Sequence, residues 1–188
     1  MKTIRHNVFE TNSSSTHSIA ISKNTVSNLS GMSVYFGSGE YGWGFDVVTD
    51  TASYLHTALV DICTPSDYDF YIGEIKTILD KYNIQYAFAP VEYIKTINGY
   101  EYVRFVGDYW AGIDHAGECK EFIDAILSDE DLFLRYLFGD SCIYTGNDNS
   151  ADEDSMCYCA EEFVWGDDGK VPNPTHDPEH YDYFFKGN

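Results

Sequence analysis

Apolar and polar positions alternate along this chain with two periods, one near two and one near 3.6, and each change of period marks a change of element. Near the start, Ile4, His6 and Val8 share one face of an extended segment, and His17, Ile19 and Ile21 share another. Residues 11–16, between them, are all polar. The pattern predicts a β-hairpin whose wide loop is residues 10–16, with Ser, Thr and Asn side chains bonded to nearby backbone N–H groups. His17 falls at the loop end of the apolar face, where a satisfied core histidine is expected.

Residues 24–31 read as a turn-rich link and residues 32–36 as a short strand. The glycine-punctuated stretch 37–45 follows, with Tyr41 and Trp43. It lacks the Lys-Ser/Thr ending of a phosphate loop, and Glu40 would repel a phosphate, so packing is the expected role of its aromatics. Asp50 can cap a helix reaching Ile62, with Leu55, Leu59 and Ile62 on one face and His56 beside it as a structural residue. Thr64-Pro65 reads as a break. Ser66, with Asp69 at the capping-box position, then opens a helix whose stripe is Tyr71, Ile75, Ile78 and Tyr82.

Residues 85–88 are a strand candidate. Asn98-Gly99 is the strongest local signal, a type I′ turn joining residues 91–97 to 100–106 as antiparallel strands. That turn places Ile97 opposite Tyr100, Lys95 opposite Tyr102 and Ile94 opposite Val103. Both faces of the hairpin carry apolar or aromatic residues, so it should be covered twice or lie against a partner. Residues 107–117 form a loop with Asp108, Trp110, Asp114 and His115. A helix over 118–127 turns Phe122, Ile123 and Ile126 inward. Ser128 with Asp131 caps a second helix over 129–138, which Gly139 ends. Residues 142–145 are a strand, and 146–149 turn out of it.

From residue 147 the composition changes. Residues 147–188 hold eleven acids against Lys170 and Lys186, with prolines at 172, 174 and 178. The only strand-like piece is residues 156–165, and a final aromatic patch spans 181–185. The organisation expected is an α+β core domain over 1–146, with an antiparallel or mixed sheet and about four helices. An acidic aromatic appendage, 147–188, docks on it. A chain of 188 residues can bury a core of that kind. No apolar run approaches the ~20 residues of a membrane helix, and no secretory signal follows the start, so a cytoplasmic protein is expected. Five cysteines in such a chain are expected as free thiols.

Charge changes the picture most. The net charge is −20, yet residues 1–39 hold Lys2, Arg5 and Lys23 against Glu10 alone, a net of +2, which leaves −22 on residues 40–188. Such a field repels nucleic acid and membrane phosphates and attracts basic partners, including the grooves of nucleic-acid enzymes.

Candidate chemistry is sparse. Cys157, Cys159, His176 and His180 could supply four zinc ligands, but Cys-x-Cys is not the usual knuckle spacing and the prolines oppose a helix carrying both histidines. His17, Asp114, His115 and Asp148 could serve a metal-dependent phosphoesterase or nucleotide-modifying enzyme, although no basic residue is placed to hold a phosphate. Ser13–Ser15 lack a nucleophile elbow. No cofactor is called for. A surface function remains: carboxylates spaced like backbone phosphates can occupy a DNA-binding groove. Asp148, Asp152, Glu153, Asp154, Glu161, Glu162, Asp167 and Asp168 are the expected contacts.

Residues 7–18, Asn-Val-Phe-Glu-Thr-Asn-Ser-Ser-Ser-Thr-His-Ser, resemble the opening of a family of small acidic proteins from phages and mobile elements of Firmicutes. Tyr35-Phe36-Gly37, Glu40-Tyr41-Gly42-Trp43-Gly44, Ile113-Asp114-His115 and Thr145-Gly146-Asn147-Asp148-Asn149 resemble later landmarks of that family. The resemblance spans most of the chain up to residue 150 and brings no enzymology. By analogy of context, since some small acidic phage proteins inhibit bacterial defence nucleases, it implies an anti-CRISPR type of inhibitor. The partner expected is a basic, nucleic-acid-binding host nuclease, with neither nucleic acid nor membrane bound directly.

Overall fold

The computed structural model describes residues 15–43, 46–147, 163–166, 169–172 and 179–186. The chain runs β1 (Ser15–Ser22), β2 (Ser33–Phe36), β3 (Glu40–Tyr41), β4 (Asp46–Val48), α1 (Thr51–Ile62) and α2 (Pro65–Lys81). Next come β5 (Gln85–Phe88), β6 (Val91–Lys95), β7 (Glu101–Phe105), β8 (Gly112–Ile113) and a 3-10 turn (Ala116–Cys119). Helices α3 (Lys120–Ser128) and α4 (Glu130–Phe138) precede β9 (Ser141–Asn147), β10 (Phe163–Gly166), β11 (Gly169–Pro172) and β12 (Tyr181–Lys186). The fold is α+β. Among the described residues no helix is long and apolar enough to cross a membrane.

The main sheet has four antiparallel strands in the order β12-β1-β9-β4. One row across it reads Phe184, Ile19, Ile143 and Val48, and Phe184 continues into an edge-to-face contact with Phe122 of α3, centroids 5.5 Å apart. Both edges of β1 are therefore taken. That leaves no edge along residues 17–21 for the hairpin partner expected at residues 4–8, which lie outside the described residues. Residues 15 and 16 extend β1 and are not loop. Distant segments with matching apolar faces take both edges of β1.

Helix α1 is the core of the molecule, with its first ten residues buried. Asp50 caps it as expected, accepting from Ser53 N. Helix α2 begins two residues earlier than expected. Thr64, not Ser66, is the N-cap and pairs with Asp67, while Pro65 fills the first turn, where its missing N–H is no loss. The buried stripe is accordingly Tyr68, Ile72, Ile75, Ile78 and Leu79. Phe122, Ile123 and Ile126 of α3 point inward. The cap of α4 is Asp129 and not Ser128. A side chain at Gly139 would meet Arg135 O at 2.5 Å, which explains the glycine where the helix stops.

Two strand pairs are parallel, β2 with β5 and β3 with β8. The β6–β7 hairpin forms, but one residue out of the expected register: Ile94 faces Tyr102 and Lys95 faces Glu101. Gly99 N donates to Thr96 O, and Thr96 N to Tyr100 O. Only Gly99, at φ +81°, adopts positive φ in this loop. The connection is thus a three-residue loop with glycine in the left-handed position, not a two-residue I′ turn. Thr96 Oγ1, accepting from Tyr100 N, stabilises the longer loop.

Candidate functional site

The eight acids expected to meet a partner, Asp148, Asp152, Glu153, Asp154, Glu161, Glu162, Asp167 and Asp168, all lie outside the described residues, as do Cys157, Cys159 and His176. His180 is exposed beside β12, and its carbonyl accepts from Lys23 N.

The hydrolase candidates are not alike. His17 is fully buried on β1, and its Nδ1 lies 2.6 Å from Tyr54 Oη of α1. Tyr54 Oη in turn lies 3.6 Å from Cys119 Sγ. Burial, with Cys119 beside it, holds the Tyr54 phenol far above its ordinary pKa, so the phenol stays protonated within this buried row. Asp114 and His115 sit after β8, with His115 exposed and its Nε2 3.8 Å from Asp114 Oδ1. Asp148 and the serines at 13 and 14 lie outside the described residues. Among the described residues, no three His, Cys, Asp or Glu side chains gather as a metal site. His56 is also internal: its Nδ1–H donates to Phe36 O and Gly37 O, and its Nε2 accepts from Tyr68 Oη at 2.7 Å. Burial lowers its pKa, which keeps the ring neutral.

Of the glycine-loop aromatics, Tyr41 packs inside, its ring 5.1 Å from that of Tyr54, whereas Trp43 is exposed. A second exposed aromatic group surrounds the β6–β7 hairpin: Tyr100, Tyr109 and Trp110, the last 81% exposed, with Ile97 at the tip. Beneath it, Asp61 in the last turn of α1 separates two hollows, of about 330 and about 350 Å³. The first is bordered by Tyr102, Arg104, Asp108, Tyr109 and Ala111. The second is bordered by Cys63, Asp67, Tyr71 and Lys120.

Asp61 Oδ2 accepts from Ile113 N of β8 at 2.6 Å. The residue is open to solvent through the hollows, but protein surrounds enough of its carboxyl group to raise the pKa to about 6, desolvation outweighing the Ile113 bond. Burial pushes the Cys63 thiol up to about 12, so it is no nucleophile at neutral pH. These walls can hold a cation or shuttle a proton. Asp61 was missed in the sequence because the groups that surround it come from β7 and the loop before β8, far along the chain. The available signal was its position, an acid in the last helical turn, where the helix dipole opposes it.

Comparison of the chain with protein-family models, curated proteins and solved structures finds no match.

Proposed function

We propose that this chain is a phage-encoded acidic binding protein, acting in the bacterial host cytoplasm, that inhibits a nucleic-acid enzyme of the CRISPR effector nuclease type by occupying its basic DNA-binding groove. The observation that carries the reading is the charge: −20 overall, with +2 on residues 1–39 and therefore −22 on the rest. Long-range attraction to a Lys- and Arg-lined groove follows from that field.

The way surface carboxylates are held supports it. Tyr71 donates to Asp124 at 2.7 Å, Tyr82 to Glu130, and Tyr93 to Asp69. Burial, with the Asp80 carboxylate nearby, raises the pKa of the Tyr86 phenol. Charges fixed in place lose less freedom on binding than charges on mobile side chains. Asp69 and Asp80 have no ion-pair partner among the described residues. A mimic of DNA needs such fixed, unneutralised charge.

The test uses a nuclease captured from a host lysate and identified. Reversing Asp152, Glu153, Asp167 and Asp168 to Lys should slow association at least tenfold at low salt and leave the fold intact. Binding should weaken as salt rises, and DNA should compete. Equal binding by the reversed variant, or a ternary complex with DNA, would refute the mimicry.

A further inference from the structure

The hollow beside β7 has features that the charge alone does not explain. Its inner wall is Asp61, whose Oδ2 is committed to Ile113 N while Oδ1 takes no hydrogen bond from any described residue. Across it lies Asp108, held by Ser38 Oγ at 2.6 Å. Tyrosine rings 102 and 109 border the opening. Tyr100 stacks on Tyr102 at 5.8 Å and 26°, extending the aromatic rim outward. The volume of about 330 Å³ lies at the lower end for small-molecule pockets.

One cation of the protein, Arg104, itself lines the hollow and already stacks on one of these rings. Arg104 Nη2 donates to Glu92 at 2.7 Å, and its guanidinium lies 5.0 Å from the Tyr109 centroid. Glu92 neutralises Arg104, so that guanidinium does not charge the hollow against a second cation. Carboxylate in the plane and tyrosine on the face is the environment a guanidinium prefers. A lysine ammonium gains less from it, having neither a flat face nor a fork.

From these contacts we infer that the hollow between Asp61 and β7 receives an arginine side chain of a basic protein partner, with the guanidinium paired to Asp61 and bounded by Tyr102 and Tyr109. Trp110, exposed and set in the chain between the lining residues Tyr109 and Ala111, contacts the surrounding partner surface. Exposed aromatics around a charged recess are the arrangement of an interface hot spot. The Asp61 carboxylate, reached by solvent but partly desolvated by the surrounding protein, gains from the arrival of a cation. This inference deepens the binding reading above by naming a contact, but it places that contact on the core and not on the 148–168 acids.

The test needs no captured nuclease. The ¹⁵N-labelled full chain is titrated at pH 7.5 with the blocked peptide acetyl-Gly-Arg-Gly-amide, and separately with its Lys and Gln counterparts. The arginine peptide should shift the amides of Asp61, Asp108, Tyr109 and Ala111 most, and bind at least threefold more tightly than the lysine peptide. Asp61→Asn should weaken it roughly tenfold. Tyr109→Leu, which keeps the bulk of the wall, should weaken it about threefold. Equal response to Arg and Lys peptides, shifts spread evenly over the acidic surface, or undiminished binding by Asp61→Asn would overturn the inference. If the peptide binds here while reversal of the 148–168 acids leaves nuclease capture unchanged, the mimicry fails and the hollow stands.

Discussion

Replacing Arg135 by Met should show how the last described strand is fastened to the core. Arg135 lies on α4 with its side chain 10% exposed. Its Nη1 donates to Ser22 O on β1 at 2.9 Å and to Asp182 Oδ2 on β12 at 2.8 Å, and its Nε to Asp131 Oδ2 at 2.8 Å. Asp131 is 71% exposed, so that pair should contribute under about 0.5 kcal/mol. The two shielded bonds, each charge-assisted, carry most of the effect, and Met preserves the apolar stem. A loss of about 2–3 kcal/mol is expected, discounted because Asp182 is 35% exposed and keeps Lys23 at 3.8 Å. Urea unfolding of the full chain should show the midpoint falling at constant m. A double-mutant cycle with Asp182→Asn should give about 1–2 kcal/mol of coupling, against under about 0.5 with Asp131→Asn. Amide exchange in β12 should accelerate before exchange in α1. A loss under about 0.5 kcal/mol, or stronger coupling to Asp131 than to Asp182, would refute this reasoning.

Other expectations follow from single residues. With Asp61 raised to about 6 from an unfolded value near 3.8, the folded state binds the extra proton between those values, so its contribution to stability declines as pH rises from about 4 to 6. Asp61→Asn should remove that slope and add about 1 kcal/mol at pH 7 after allowance for solvent, as denaturation at several pH values would show. The depressed pKa of His56 acts in the opposite sense, with stability lost as pH falls below about 6.5. His56→Phe should abolish that loss while costing about 2–3 kcal/mol near pH 7, since Phe36 O, Gly37 O and Tyr68 Oη lose their partner. Gly99→Ala should cost about 1 kcal/mol through its positive φ alone, because nothing lies within 4 Å of the added methyl group. Tyr54→Phe should cost about 1–2 kcal/mol by calorimetry, as His17 Nδ1 loses the hydroxyl.

What could be read from the sequence was local. The Asp50 cap and the inward residues of α3 depend on spacing within one element and stand as expected, whereas α1, read as one-faced, is buried all round over its first ten residues with Ile62 only half-buried. Errors arose where two local rules competed. Thr64-Pro65 satisfies both a breaker rule and a helix-start rule, and the start wins because proline suits the first turn. Asn98-Gly99 fits a two-residue turn, but Thr96 Oγ1 stabilises the loop one residue longer. Pairings between distant segments carried no local mark. Nothing in Tyr181–Lys186 identifies β1 as its neighbour, and the parallel pairs of β2 and β3 depend on partners far along the chain. The hollow at Asp61 was hidden for the same reason, since α1, β7 and the loop before β8 meet only after folding.

The position of β1 also bears on how the protein is made. Its two neighbours, β9 and β12, begin only at residues 141 and 181, so β1 emerges well before either partner and waits for both. At roughly 5–20 residues per second that delay is about 6 to 30 seconds. Through it, the alternating face of Ile19 and Ile21 has no sheet to join. A nascent chain arrested before residue 141 could form α1 and α2 but not the main sheet. The main sheet is therefore expected to close late and slowly, because among the described strands the β1–β12 ladder closes the longest loop.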